Sequence, residues 1–148
     1  MARKKVKLSP RLKTIVDALP LYPGIRVLEI GCATGAAARE VASRIGNGHI
    51  LAIDRSAKAI ALAREKSHQA IASGQLSFRE ISVENFELEA GEFPYDLAFA
   101  VRVRALDGRH PAAGQLALPR IARALTKNGK LFIDGGDPLT EVPLDAFR

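Results

Sequence analysis

The stretch Val27-Leu-Glu-Ile-Gly-Cys-Ala-Thr-Gly35 decides the fold. From Arg26 to Ile30 the chain is rich in branched apolar residues, the composition of a strand covered on both faces. Gly31 and Gly35 then turn it, and Ala38, Val41, Ala42 and Ile45 follow at helical spacing. This is a strand, a glycine loop and a helix in succession. A glycine at 31 lets backbone come close to a ligand, and a second at 35 lets the helix approach the strand.

Upstream, Ser9 and Pro10 give an N-cap and a first-turn proline for a helix whose stripe is Leu12, Ile15, Val16 and Leu19. Pro20, Pro23 and Gly24 stop it. Downstream, His49 to Ile53 reads as a second buried strand with Asp54 at its carboxyl end, and Ser56 caps a helix running to about Ile71. Leu76 to Ile81 alternates as a third strand, and Glu84 to Glu92 is acidic and irregular. Tyr95 to Val103 reads as a fourth strand, Leu118, Ile121, Ala122 and Leu125 as a helical stripe with Pro119 in or at the start of the helix, and Lys130 to Asp134 as a fifth strand. Repeated strand-helix alternation predicts a doubly wound, mainly parallel sheet of about five strands with helices on both faces.

Composition sets bounds. At 148 residues with 47% hydrophobic and 26% charged residues, the chain suits one globular unit, read as a basic tail over residues 1–8 and one domain over 9–148. Six of its 22 Lys and Arg (Arg3, Lys4, Lys5, Lys7, Arg11 and Lys13) precede the first acid, Asp17, which leaves 16 bases against 16 acids in the rest. The net charge of +6 thus belongs to the N-terminal segment. A solubilising terminus is the plain reading, and weak, sequence-independent nucleic-acid contact is the alternative. No uncharged apolar run approaches the roughly 18 residues of a membrane span, and the basic start lacks the apolar stretch of a secretory signal. The single cysteine, Cys32, forms no internal disulfide and removes any zinc site built on several thiolates, so no metal is expected and a reducing, cytoplasmic setting fits.

These residues resemble class I S-adenosylmethionine-dependent methyltransferases, which have a Rossmann-like sheet. The spacing Glu29, Gly31, Gly35 resembles the family's first motif, with Ala33 where glycine is frequent. Asp54 resembles its ribose-binding acid, Phe93-Pro-Tyr-Asp-Leu97 its entry to strand four, and Leu125-Thr-Lys-Asn-Gly-Lys-Leu131 its turn into strand five. The resemblance covers roughly residues 10–136 in the expected order. It implies S-adenosylmethionine as cofactor, with S-adenosylhomocysteine as product, and a binding set of Glu29, Gly31, Cys32, Ala33, Gly35, Asp54, Arg55, Ser82, Val83, Glu84 and Ala100. Glu29 would take the ammonium end of the ligand, commonly through water, and Asp54 the two ribose hydroxyls. Taken alone, Asp54 reads equally as a helix cap. Ser82 stands where the family often presents an acid to the adenine amino group, which costs that contact a charge, while Val83 packs on the ring and Glu84 lies close by. Cys32 reads as a small loop residue, not a nucleophile, because no base can be assigned to it.

The leading expectation is methyl transfer to a small-molecule acceptor. No catalytic residue can be assigned: His110 and Asp134 are thin candidates for a base, and neither His49 nor His68 is better placed. Arg102, Arg104 and Arg109 follow strand four and suit a carboxylate or phosphate on the acceptor, against the simpler reading of a solvated loop. The runner-up is a non-catalytic cofactor-binding or partner subunit, separable by assaying methyl transfer. An NAD-dependent oxidoreductase comes third, because its loop needs Gly-x-Gly-x-x-Gly where this one has Gly31-x-x-x-Gly35. Only twelve residues follow Gly136, and with Pro138 and Pro143 they supply at most a short extended segment. The C-terminal strands of the family fold are therefore expected to be missing and strand five, Leu131-Phe-Ile133, to lie at or near an edge. That edge predicts a homodimer, or a fragment of a longer protein, joined through strand five.

Overall fold

A computed structural model describes residues 8–148. The nucleic-acid expectation for the tail falls mainly on residues 1–7, outside the described residues. The element order is α1 (Pro10–Ala18), β1 (Arg26–Ile30), α2 (Ala36–Ala42), β2 (His49–Asp54), α3 (Ala57–Glu65), α4 (His68–Ala72), β3 (Leu76–Glu80), β4 (Tyr95–Ala100), α5 (Pro111–Ala124), β5 (Leu125–Asp134) and β6 (Leu139–Val142), with short 3-10 turns at Val83–Asn85 and Asp145–Phe147. The sheet order is β3-β2-β1-β4-β5-β6. The first five strands run parallel and β6 pairs antiparallel to β5.

The β1 side chains alternate between two cores. Val27 joins the cluster under α1, α2 and α3, which includes Val16, Val41, Ile50, Ile60 and Phe99. Leu28 and Ile30 join the opposite cluster under α5, with Leu51, Phe86, Ile121 and Leu131. The strand is covered on both sides, which is why its sequence beyond the half-buried Arg26 is apolar except at Glu29. Both predicted caps form: Ser9 Oγ accepts from the Leu12 N–H and Ser56 Oγ from the Ala59 N–H.

The structure differs from the sequence reading in four places. The expected single helix after Ser56 is broken into α3 and α4 at Ser67, which is buried and accepts a hydrogen bond from the Arg39 guanidinium at 3.1 Å. Strand four ends at Ala100 instead of Val103, because Arg102 turns into left-handed backbone, φ 58°. Helix α5 starts at Pro111, ahead of the stripe read from Leu118, and it runs through Pro119. Lastly, β5 is not an edge: Leu131, Phe132, Ile133 and Asp134 pair with Val142, Glu141, Thr140 and Leu139. The backbone groups argued to be unpaired are satisfied by β6, so the sheet has six strands and the argument for a dimer interface at strand five loses its basis. The short extended segment expected after Gly136 is this strand, which adds a sixth to the sheet of about five.

Candidate cofactor and acceptor cleft

The strand order reverses between β1 and β4, with β2 and β3 on one side and β5 and β6 on the other. At such a switch point the loops leaving the carboxyl ends of the strands diverge and open a crevice. A cleft of about 700 Å³ lies there. Its walls are the ends of β1 and β2 (Ile30, Gly31, Ile53, Asp54, Arg55), the turn after β3 (Ile81 to Glu84), the loop after β4 (Arg102 to Ala105, Arg109, His110) and the first turn of α5 (Pro111 to Ala113).

The glycine loop has left-handed backbone at Gly31, Ala33 and Gly35 (φ 73°, 49° and 86°). At Gly31 a Cβ would lie 2.7 Å from Val103 Cγ2, so the β4–α5 loop closes directly over this glycine. At Gly35 a Cβ would lie 2.9 Å from the Phe78 ring, and this is the close approach of helix and strand that the second glycine allows. The Ala33 N–H donates to Asp54 Oδ2 at 2.9 Å and the Ser56 N–H to Oδ1 at 2.9 Å. One carboxylate therefore ties the glycine loop to the start of α3. Asp54 caps the next turn, as one of its two sequence readings has it, and it also lines the cleft.

Glu29 sits on the α2 side of β1, 4% exposed. Its Oε1 is buried without a hydrogen-bond partner. Burial first, and then the negative charge of Asp54, push its carboxyl up to about 8, with the Arg39 guanidinium pulling weakly the other way. A buried carboxyl group without a hydrogen-bond partner is a costly thing to keep for the fold alone. Cys32 is buried beside it, and burial raises its thiol well above the ordinary range, so it is held as a neutral thiol.

The sequence-derived residues thus divide. Gly31, Asp54, Arg55, Ser82, Val83 and Glu84 meet in the cleft wall. Glu29, Cys32, Ala33, Gly35 and Ala100 do not line it; Ala100 is buried at the end of β4, against Ile30 and Ile133 in register. Ser82 Oγ accepts from Asn85 Nδ2 at 3.0 Å. Sequence reasoning did not single out Arg39, Val103 or the first turn of α5. Arg39 donates to the Thr34 carbonyl at 2.8 Å as well as to Ser67, bracing the glycine loop from beneath. The run Ala36-Ala-Ala before it, small enough to leave room for a guanidinium against the sheet, was the available signal.

Of the candidate bases, Asp134 is already engaged: Oδ1 accepts the Arg102 N–H at 3.0 Å and Oδ2 the Arg11 guanidinium at 2.5 Å. His110 lines the cleft, exposed, as the residue preceding α5. His49 bridges the Gly74 carbonyl and Ser77 Oγ at the opposite end of β2 from Asp54, as a structural residue would.

A doubly wound sheet with an acid and a glycine loop at its switch point defines the nucleotide-cofactor class of α/β proteins. The comparisons narrow this. The profile of the family described as "Methyltransferase domain" matches residues 27–129, and the chain belongs to that family, of the class I S-adenosylmethionine-dependent type. It is 29% identical over 114 residues to the ubiquinone/menaquinone biosynthesis C-methyltransferase UbiE of Rhizobium johnstonii, covering 75% of this chain and 41% of that one. It is 29% identical over 135 residues to the O-methyltransferase rstn1 of Aspergillus nomiae, covering 88% and 57%. Among solved structures it superimposes on phosphoethanolamine N-methyltransferase 2 of Haemonchus contortus, in complex with phosphomonomethylethanolamine and S-adenosylhomocysteine. There the TM-score is 0.67 at 26% identity, over 83% of this chain and 27% of that one. The chain spans about half the length of the curated relatives it matches.

Proposed function

We propose that this chain binds S-adenosylmethionine in the switch-point cleft and transfers its methyl group to a small-molecule acceptor. The observation that carries the proposal is the unpartnered, buried Glu29 carboxyl group at the foot of the glycine loop, which a neighbouring cation would draw into its charged form. A cationic ammonium, directly or through one water, gives it the partner that the protein withholds. Asp54 has one lone pair on each oxygen beyond those taken by Ala33 and Ser56, and these can accept from a pair of ribose hydroxyls. Val83 offers an apolar surface to a purine face, with Ser82 and Glu84 as polar neighbours. Gly31 exposes backbone where a side chain would collide with Val103.

The sulfonium of this cofactor supplies an already activated methyl group. What the chain contributes is placement of the acceptor in line with it and exclusion of water, for which the β4–α5 loop over Gly31 forms the roof. For an acceptor that must lose a proton, His110 is the imidazole in the cleft wall. Cys32, buried and protonated, takes no part in the chemistry. One reduced, buried cysteine is consistent with the cytoplasmic setting expected from composition. Among the described residues no helix is long and apolar enough to cross a membrane.

Calorimetric titration with S-adenosylhomocysteine and with NAD tests the cofactor. The expected result is saturable binding of the first and none of the second, with Asp54→Ala weakening it at least tenfold. Binding of NAD alone, or undiminished binding in Asp54→Ala, would overturn the assignment. Turnover is tested by transfer of a labelled methyl group to an acceptor panel; saturable cofactor binding with no transfer to any acceptor would favour the non-catalytic subunit.

A further inference from the structure

The far end of the cleft has a chemistry of its own. Four arginines, Arg55, Arg102, Arg104 and Arg109, line the cleft against two carboxylates, Asp54 and Glu84. The carboxylates and Arg55 belong to the end formed by β2 and the turn after β3. The other three arginines come from the β4–α5 loop, opposite. Resting on the cofactor reading above, we propose that the acceptor carries a carboxylate or phosphate, and that Arg102 and Arg104 hold it.

Two arginines on a loop are usually a solvated surface, so the loop must be shown to be built. It is pinned at both ends and in the middle. Asp134 Oδ1 accepts the Arg102 N–H at 3.0 Å and keeps that residue at φ 58°, a conformation a non-glycine residue adopts at some cost. Val103 packs onto Gly31, and its carbonyl accepts from the N–H groups of Leu106 and Asp107. The Ala105 carbonyl meets α5 so closely that a Cβ at Gly114 would lie 2.5 Å from it. The His110 N–H closes the loop on the Arg104 carbonyl at 3.2 Å.

Charge pairing then singles out two of the three arginines. Arg109 is neutralised by Asp107, at 2.5 Å and 2.8 Å. The carboxylate next to Arg102 is Asp134, but one of its oxygens holds the Arg102 backbone and the other holds Arg11. The Arg102 guanidinium is therefore left without that partner, although its own main chain is bonded to it. Among the described residues neither Arg102 nor Arg104 forms a salt bridge within 4 Å, nor does Arg55 at the other end of the cleft, whereas Arg109 beside them does. Two guanidinium groups in one fixed loop, in direct ion pairs with no protein carboxylate and lining a cleft, are suited to a planar or tetrahedral oxyanion. The first turn of α5 adds to the field: its residues Pro111 to Ala113 line the same wall, and His110 contributes no capping side chain to that helix end.

The test is an NMR titration of the isotope-labelled protein saturated with S-adenosylhomocysteine, at constant ionic strength. The probes are inorganic phosphate, acetate and, as a neutral control, glycerol. The expected result is saturable shifts at residues 102–113 with phosphate or acetate and none with glycerol. The double variant Arg102→Asn, Arg104→Gln should weaken the anion at least tenfold, with Asn chosen because it tolerates left-handed backbone, and Arg104→Lys alone should recover part of that loss. Equal anion affinity in wild type and double variant, or shifts spread over the surface lysines, would overturn the proposal while leaving the cofactor assignment standing. Failure of wild type to bind S-adenosylhomocysteine would instead remove the cofactor reading, and this inference with it.

Discussion

Replacing Glu29 by Gln should make the protein more stable and, on the reading above, unable to hold its cofactor. The carboxyl titrates near 4.5 in an unfolded chain and at about 8 in the folded protein. Below pH 4.5 it is neutral in both states and favours neither. Between 4.5 and 8 the unfolded chain releases the proton while the folded protein keeps it, so the folded state loses about 1.4 kcal/mol of relative stability for each pH unit gained. From pH 5 to pH 8 the loss is about 3.5 kcal/mol, and in a domain of this size it lowers Tm by roughly 7 to 14 °C. Glutamine has nearly the same shape and does not titrate, so the variant escapes this loss. Any change in packing or hydrogen bonding that the amide brings is independent of pH, and it cancels when the two pH profiles are subtracted. Thermal unfolding of both proteins without ligand, followed by circular dichroism from pH 5 to 8.5, should give curves that diverge as pH rises, with the variant on top. Added S-adenosylhomocysteine should raise Tm at pH 8 in wild type and leave the variant unmoved. Parallel curves would refute the buried, protonated Glu29, and a full ligand response in the variant would refute its contact with the ammonium.

Gly114→Ala should dislodge the β4–α5 loop, because its Cβ would meet the Ala105 carbonyl at 2.5 Å; a loss of about 1 to 3 kcal/mol is expected, with anion binding reduced and cofactor binding kept. Unchanged anion affinity in that variant would show that the loop does not need its seat on α5. Cys32, 5% exposed with its thiol raised by burial, should react with a disulfide reagent at pH 8 only as fast as the protein unfolds, and rapid labelling of the native protein would contradict the buried placement. Asp134→Ala, which frees both Arg11 and the Arg102 N–H, should cost about 1 to 3 kcal/mol and accelerate hydrogen exchange at Arg102 and its neighbours; equal exchange rates would mean that the loop is held by other contacts.

What the sequence revealed, and what it hid, follows the range of the forces involved. The β1 strand, its glycines, the Ser9 and Ser56 caps and the position of Asp54 are decided by neighbours in the chain, and they could be read directly. The misread elements are those where a distant residue intervenes. Ala100-Val-Arg-Val-Arg104 alternates like a strand, yet Asp134, 32 positions from Arg102, captures the Arg102 N–H and turns the chain. The apolar pattern from Ala57 to Ala72 would make one helix had Arg39 not engaged Ser67 from beneath. Pro119 lies inside α5 rather than at its start, and the buried residues Gly114, Ala117, Ile121 and Ala124 carry the helical period upstream toward Pro111. The short extended segment expected between Pro138 and Pro143 is there, and Leu139 to Val142 use it as an outer strand whose flanking prolines do not interrupt the pairing. In the site, residue types were legible and their burial was not: nothing local distinguishes an exposed Glu29 from one sealed without a partner.

Asp134 holds α1 with one oxygen and the roof of the cleft with the other. Such a shared anchor joins two elements 123 positions apart at their closest tie: a change that draws Arg11 away leaves Asp134 Oδ2 without its guanidinium while Oδ1 still holds the Arg102 N–H. The N-terminal helix contributes nothing to the cleft wall, yet through this one side chain it shares a hydrogen-bond acceptor with the loop that does.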